Sequence, residues 1–291
     1  MTTKIDAAER GHWNLGGDLR ISRMGFGAMR LPARDLTGPP NDRGTVLGVL
    51  RRAVELGVDH IDTAAFYSRD ALAANELIKE ALHPYPDGLV VATKVGPGKR
   101  PGDPVPSYEM GPGELRAEVE RNLRELGLDR LDLVYLRVGS MLGPDDGSLG
   151  ERFEVLAGLR DEGLIRHLGV SNVSLAQLAE AQAIAPVAAV QNRFDVTLPQ
   201  DAGLLAACEK DGIAYAPYFP LGGFGIPGDA RVKEIAVRHG ATVPQVLLAG
   251  LLALSPVMLA IPGTSSPAHL EENLGAAALR LTAEDLAGLA R

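Results

Sequence analysis

The sequence predicts an α/β chain folded as a (β/α)8 TIM barrel preceded by an N-terminal β-hairpin, and three observations carry that prediction. Eight short runs rich in apolar and β-branched residues alternate with longer amphipathic stretches to the end of the 291 residues. Their starts lie about 33 residues apart on average, the length of one strand-plus-helix unit. Helix-start and helix-stop signals fall in the intervals between them. Eight such units fit a closed barrel better than an open doubly wound sheet.

Taken in order, a hairpin is expected around Gly16-Gly17. Strands follow at Met24–Gly27, His60–Asp62, Val90–Thr93, Asp132–Leu136, His167–Val170, Ala188–Gln191, Ile213–Pro217 and Met258–Ile261, with a helix after each. After Gly113, Leu115, Val119, Leu123 and Leu126 recur at helical spacing and Gly127 follows as a left-handed stop. Ser174 with Gln177, and Thr242 with Gln245, have the spacing at which two side chains cap each other's backbone N–H. Gly57, Gly163, Gly212 and Gly240 stand where helices should end. Much of the Gly and Pro content, 34 and 20 residues, thus reads as helix stops and turns. Disorder is excluded because the 46% of hydrophobic residues is spread along the whole chain. No linker interrupts the pattern, so residues 1–291 read as a single domain. Two long irregular stretches, Leu31–Gly44 and Gly96–Pro112, read as site loops.

With 29 basic and 37 acidic residues the chain carries a net charge of −8, and its summed field repels nucleic acid and anionic membranes. Neither is expected as a partner, and an anionic ligand must find a local site. The single cysteine, Cys208, excludes an internal disulfide. The stretch Met1 to Arg10 lacks the apolar core of a secretory signal, and Val246 to Leu254 is too short to cross a bilayer. A cytoplasmic protein is expected, with its oligomeric state left open.

Barrel enzymes carry their reacting groups at the C-terminal ends of the strands. Those ends offer Asp62 and Tyr67, Lys94, Arg137, Ser171 with Asn172, and Gln191 with Asn192. Lys94 follows the apolar run Leu89 to Thr93, and a lysine pointing into the barrel mouth needs a partner, which Asp62 one strand away supplies. The Lys94 charge would depress the pKa of a phenol beside it at Tyr67, giving a general acid able to protonate a carbonyl oxygen as hydride reaches the carbon. The competing structural reading is a buried Asp62–Lys94 pair closing the mouth, with Tyr67 as a rim aromatic.

The words around these residues decide between the two. Asp62-Thr63-Ala64-Ala65-Phe66-Tyr67, Thr93-Lys94, Gly169-Val170-Ser171-Asn172, Val190-Gln191-Asn192 and Ile261-Pro262-Gly263-Thr264 through Glu272-Asn273 resemble the aldo-keto reductase superfamily in content and order, over nearly the whole chain. The resemblance implies an NADP(H)-dependent oxidoreductase that transfers hydride to a small aldehyde or ketone. Tyr67 would be its proton donor, tuned by Asp62 and Lys94. It further implies that Ser171, Asn172 and Gln191 hold the nicotinamide carboxamide, that Tyr218 stacks on the nicotinamide, and that Glu272 and Asn273 meet the adenine. Gly27, Ala28, Met29, Phe219, Leu221 and Gly222 complete the expected cofactor lining.

Two departures stand out. The family usually has a histidine at the end of strand four, where this chain has Arg137, which polarises a carbonyl but cannot shuttle a proton. The family also commonly places a lysine and an arginine at the cofactor phosphate, where this chain has Gly263 and His269. Gly263, Thr264, Ser265 and Ser266 ahead of Pro267 make an anion nest of backbone N–H groups and hydroxyls. Because Thr264 matches the family's residue at this place, the resemblance implies NADP(H) as the cofactor, with NAD(H) left open. Leu136-Arg137-Val138, the run Phe219 to Phe224 and His269-Leu270 look most like the bacterial pyridoxal reductase-like branch, with pyridoxal a candidate substrate. Phe26, Met29, Phe66 and Phe219 are expected to form an apolar slot with Arg137 as its polar contact. Three other readings compete: a catalytically weak NADPH-binding barrel acting as a sensor or regulatory subunit, a Schiff-base aldolase using Lys94, and a metal-dependent hydrolase built on His60, Asp62 and His167, which supply only part of a site, so no metal is expected.

Overall fold

A computed structural model describes residues 5–35, 38–100, 103, 105–140, 143–197, 201–223, 225 and 230–289. Seven parallel strands pair side by side in chain order: β1 (Phe26–Gly27), β2 (His60–Asp62), β3 (Val90–Val95), β4 (Leu131–Arg137), β5 (Ile165–Ser171), β6 (Val187–Gln191) and β7 (Ala214–Tyr215). An eighth extended segment closes the cylinder through two parallel bridges, Tyr215 with Met258 and Met24 with Ala260. Its backbone bonds run to both neighbours: Leu259 N–H donates to the Tyr215 carbonyl at 2.8 Å and Ala260 N–H to that of Arg23 at 2.8 Å. The closed barrel agrees with the expected fold, and every expected strand has its counterpart within a few residues.

Ten α-helices are present among the described residues: α1 (Arg43–Glu55), α2 (Ala74–Leu82), α3 (Pro112–Leu126), α4 (Gly150–Asp161), α5 (Leu175–Ile184), α6 (Ala202–Asp211), α7 (Ala230–His239), α8 (Val243–Ala253), α9 (Pro267–Gly275) and α10 (Ala283–Leu289). The excess over eight arises after β7, where Gly240 at φ +58° stops one helix and Thr242 starts the next, and after α9. The capping boxes of Ser174 with Gln177 and Thr242 with Gln245 both form. Gly57, Gly127, Gly163 and Gly212 all take positive φ just past a helix, where a Cβ would be strained.

Successive strand residues point to opposite faces, so the barrel wall sorts its side chains into two cores. Ile61, Val91, Val134, Leu136, Val170 and Val190 face outward into the layer beneath the helices. Val90, Ala92, Leu133, Tyr135, Ala189, Ala214 and Leu259 face inward and meet Leu15 and Ile21. Those two residues come from the N-terminal hairpin, His12–Leu15 paired antiparallel with Leu19–Ser22, which plugs the barrel at the end opposite the strand C-termini. The same parity sends Asp62, Lys94, Arg137, Ser171 and Gln191 inward at the other end.

The last helix is tied down by a buried carboxylate. Asp285 meets Arg238 at 2.9 Å and His239 Nε2 at 2.7 Å, and accepts from the Thr282 N–H at 2.9 Å and hydroxyl at 2.8 Å. Burial pushes the carboxyl up, but His239, Thr282 and Arg238 outweigh it and hold Asp285 down to about 2. A depressed carboxylate stabilises the fold above its unfolded pKa and loses that contribution as pH falls through the folded one. Asp285→Asn is therefore expected to lower Tm by several degrees at pH 7, with the gap to the native chain shrunk to about half at pH 3, as thermal melts across this range would show; a gap that does not narrow contradicts the ion-pair account.

Candidate active site

At the inward-facing strand ends, Lys94 Nζ lies 2.5 Å from Asp62 Oδ1 and donates to the Thr63 carbonyl at 3.0 Å. Gln191 Nε2 donates to the other Asp62 oxygen at 2.8 Å. Lys94 is 1% exposed and Asp62 5%, so the pair is buried and the geometry has to compensate lost hydration. Burial by itself would push the Lys94 ammonium down; the Asp62 carboxylate and the Tyr67 phenol outweigh it and hold lysine above its usual value.

Tyr67 reaches this pair from the loop after β2. Its N–H bonds the Ala64 carbonyl at 3.0 Å and its own carbonyl accepts from Ala74 N–H at 2.9 Å, where α2 begins. The Lys94 ammonium sits 5.0 Å from the Tyr67 ring centroid, and Phe66 packs edge-on against that ring at 5.0 Å. Asp62, Lys94 and Tyr67 are thus brought together as expected. Tyr135, opposite Lys94 in the β3–β4 register, belongs to the same group, and burial pushes its phenol up. Tyr135 lies within the expected strand Asp132–Leu136, and counting the alternation back from Arg137 puts its side chain inside the barrel.

Arg137 sits at the end of β4. Its guanidinium bonds Ser171 Oγ at 3.2 Å and lies 4.6 Å from the ring centroid of Tyr218. The Tyr218 hydroxyl donates to Asn172 Oδ1 at 2.9 Å, and Asn172 Nδ2 faces the carbonyls of Val138, Ser140 and Gly143 at 2.7 to 2.8 Å. Asn172 and Phe219 both adopt left-handed φ, +63° and +58°, which turn the chain sharply at the barrel rim. Asn172 is therefore a knot joining the loops after β4, β5 and β7. Burial pushes the Tyr218 phenol up, with Arg137 partly offsetting the effect.

These groups lie along a cleft of about 480 Å3. Met29 and Pro32 from the first βα loop, Phe66, Val105 to Glu109 from the loop after β3, and Phe219 form its walls; Lys94, Arg137, Gln191, Tyr67 and Tyr218 line it from the barrel side. Gln191 Oε1 is buried there with no hydrogen-bond partner among the described residues, an acceptor set to take an N–H from a ligand. Both long irregular stretches thus contribute to the cleft, and the second contains a short antiparallel pairing, Pro97–Gly98 with Tyr108–Glu109. Phe26 corrects the expected slot: it pairs with Ile61 on the outward parity and is fully buried in the outer core, so it does not line the cleft.

The remaining expected cofactor residues lie outside the lining of this cleft, at the end of β1, after β7 and around the start of α9. Ala28 is buried, while Leu221 and Gly222 follow Phe219 at the rim, partly exposed. Gly27 and Gly263 touch: a Cβ on Gly263 would strike the Gly27 carbonyl, and one on Gly27 would lie 2.6 Å from that of Ile261. Thr264 Oγ1 accepts from Ser266 N–H at 3.0 Å and Ser266 Oγ from His269 N–H at 3.4 Å, so two of the four hydroxyl and histidine positions cap the start of α9. Ser265 is half-buried and His269 exposed. Asn273 is buried, and the half-buried Glu272 accepts from Gln245 Nε2 through its carbonyl at 3.0 Å. Phe224 lies outside the described residues.

The competing chemistries fare differently. His60 faces the barrel interior near Asp62, but His167 bonds Asp18 of the hairpin turn at 2.6 Å, at the plugged end, so the three do not converge. A Schiff-base lysine needs a neutral amine, and Lys94 is held charged by Asp62. No helix among the described residues is long and apolar enough to cross a membrane on its own.

Known proteins agree with the geometry. The aldo/keto reductase family profile matches residues 23–291. The chain is 45% identical over 275 residues to pyridoxine 4-dehydrogenase of Escherichia coli, covering 94% of this chain and 95% of that protein. A crystal structure of a thermostable aldo-keto reductase with the inhibitor epalrestat superposes with a TM-score of 0.80 at 29% identity, covering 96% of this chain and 98% of the other. An aldo/keto reductase of Klebsiella pneumoniae in complex with NADP and acetate gives 0.77 at 26% identity, covering 96% and 93%. With the match running nearly end to end and Asp62, Tyr67 and Lys94 gathered at one barrel mouth, the chain belongs to the aldo/keto reductase family, oxidoreductases acting on carbonyl and alcohol groups.

Proposed function

We propose that this chain is an NADP(H)-dependent reductase of aldehydes or ketones in which Tyr67 is the proton donor, with pyridoxal among its substrates. The observation that carries the reading is the buried Asp62–Lys94 pair with its ammonium over the Tyr67 ring, on the wall of an open cleft. The cofactor supplies hydride to the carbonyl carbon. Tyr67 gives its phenolic proton to the carbonyl oxygen, and the nearby Lys94 ammonium stabilises the phenolate left behind. Asp62 keeps that ammonium charged and, through Gln191, fixes the neighbouring amide. Arg137 lines the cleft, where a permanent cation polarises the carbonyl or holds an electronegative substituent.

The residues present fit the cofactor. Gln191 Oε1 is the buried acceptor a carboxamide N–H requires, the Ser171 hydroxyl stands beside it, and Tyr218 offers a ring face held by Asn172. Asn172 then acts mainly as the support of Tyr218, since its own amide is engaged. For the phosphate, the start of α9 offers backbone N–H groups and the Thr264 and Ser265 hydroxyls. NADP(H) is supported by the Klebsiella complex, and pyridoxal by the activity named for the Escherichia coli relative. A flat aromatic aldehyde suits the slot of Met29, Phe66 and Phe219. The same reading takes residues 1–291 as one catalytic domain at work in the cytoplasm.

Tyr67→Phe is expected to reduce kcat for NADPH oxidation with pyridoxal by about 10²- to 10⁴-fold, with the NADPH Kd from fluorescence titration unchanged. Retained turnover would remove Tyr67 from the chemistry, whereas a native chain that binds NADPH without oxidising it for any small aldehyde is a sensor rather than an enzyme. Arg137→Ala should raise KM for the carbonyl by about tenfold or more, the scale of one lost charged hydrogen bond, with a smaller rise in the NADPH Kd because Ser171 and Tyr218 lose a neighbour. Borohydride reduction in the presence of pyridoxal should leave Lys94 unlabelled, as mass spectrometry of the peptide would show; a labelled Lys94 restores the Schiff-base reading.

A further inference from the structure

Behind the catalytic pair, on the helix side of the barrel wall, lie four fully buried polar residues that the proposed chemistry does not use. Thr63 and Thr93 directly follow Asp62 and precede Lys94, and strand parity turns their side chains outward into a layer otherwise filled by Leu77, Ile78, Leu115 and Val119. Valine would fit there. Instead, Thr63 Oγ1 donates to Asn75 Oδ1 of α2 at 2.9 Å, and Thr93 Oγ1 to Asn122 Oδ1 of α3 at 2.6 Å. Asn75 Nδ2 donates to Asn122 Oδ1 at 3.0 Å and joins the halves, and Asn122 Nδ2 donates to the Glu118 carbonyl at 2.8 Å.

This network has two ends in the site. Its Thr63 end presents the carbonyl that accepts from Lys94 Nζ at 3.0 Å. Its other end runs from Asn75 Nδ2 to Glu125 at 3.1 Å, and from Glu125 to Arg121 Nε at 2.6 Å. Arg121 Nη2 in turn donates to the Ala65 carbonyl at 3.4 Å, two residues before Tyr67. The Lys94 ammonium and the Tyr67 loop are thus held to one frame on α2 and α3. An Asp62–Lys94 pair alone leaves the ammonium free to rotate about its carboxylate; a second fixed acceptor at Thr63 removes that freedom. A neutral buried hydrogen bond contributes only about 1 kcal/mol net, and replacing both its partners by apolar groups of the same shape is nearly neutral, so stability alone gives little reason for four polar residues at this place.

We propose that Thr63, Asn75, Thr93 and Asn122 are positioning residues that set the Lys94 ammonium against Tyr67 in the working geometry. The inference rests on Tyr67 and Lys94 acting as proposed above. Its test is the double variant Thr63→Val/Thr93→Val, which deletes two hydroxyls at nearly constant volume, beside Thr63→Ser/Thr93→Ser, which keeps them. The valine variant is expected to lose tenfold or more in kcat with pyridoxal while the NADPH Kd and the KM for pyridoxal stay within about twofold, and the serine variant to keep most of the native kcat. Equal kcat in the native and valine proteins, or a serine variant no better than valine at matched Tm, overturns the proposal. If the valine variant does not fold, Arg121→Lys keeps the surface charge but loses the fork that reaches Ala65, and must lower kcat at constant Kd; unchanged kcat there overturns the proposal equally. Tyr67→Phe measured alongside separates the two readings, because only failure of the Tyr67 chemistry leaves that variant active.

Discussion

An ammonium and a carboxylate buried side by side, Lys94 and Asp62, are the constraint around which the barrel mouth is built. Taking either charge out of water costs several kcal/mol after relaxation, so each must be paired and its remaining hydrogen-bonding capacity met. The Thr63 carbonyl and the Gln191 amide do this from two further directions. That geometry requires β2 and β3 to be neighbours, both residues to have inward parity, and β6 to stand across the barrel with Gln191 at its end. A one-residue slip in β3 would turn Lys94 out into the helix layer and Thr93 into the mouth. Register and reactivity are therefore one requirement in this fold.

Much of this was legible along the chain because strand parity and strand-end position are local properties. Asp62, Tyr67 and Lys94 could be picked out as polar residues at the ends of apolar runs, and glycines and capping boxes marked the helices between them. What was missed depends on parity or on distance in sequence. Phe26 reads as a pocket aromatic until its pairing with Ile61 shows the outward face, and Tyr135 reads as one more apolar strand residue until the alternation with Arg137 turns it inward. Asn75 and Asn122 are invisible for a different reason. Each sits on an amphipathic helix where a polar residue normally marks the solvent side, and only the packing of α2 against α3 shows them meeting 47 positions apart.

The Arg137 substitution and the Asn172 knot show how the rim adapts to a permanent cation. An arginine at a mouth already holding Lys94 adds like charge, which the chain distributes by laying the guanidinium over the Tyr218 ring and against Ser171. Tyr218 can serve as that platform because Asn172 fixes its hydroxyl, and Asn172 can reach it because the backbone there is left-handed. Three groups aligned as cofactor contacts by their order in the sequence thus form one mechanical unit, in which Asn172 is the support and Tyr218 and Ser171 present the surface.

The glycine at position 263 follows from the same closure that makes the barrel. Where the first strand and the eighth segment meet, Gly27 and the loop of Gly263 approach until neither can carry a Cβ without meeting the other's backbone or its neighbour's. A lysine side chain at 263 would have to begin inside the Gly27 carbonyl, so this seam excludes the basic residue common at that place in the family. In a chain of net charge −8 the loss matters, since the global field opposes an anionic cofactor. On the proposed reading geometry replaces charge neutralisation: Thr264 and Ser266 already accept from the Ser266 and His269 N–H groups, so a phosphate would be held by the dipole of α9 and the N–H groups those caps leave open. Dipoles of that kind act over one turn and are insensitive to which side chains surround them. On the proposed reading, discrimination between a phosphorylated and an unphosphorylated ribose rests on the hydroxyls and on the exposed His269 side chain.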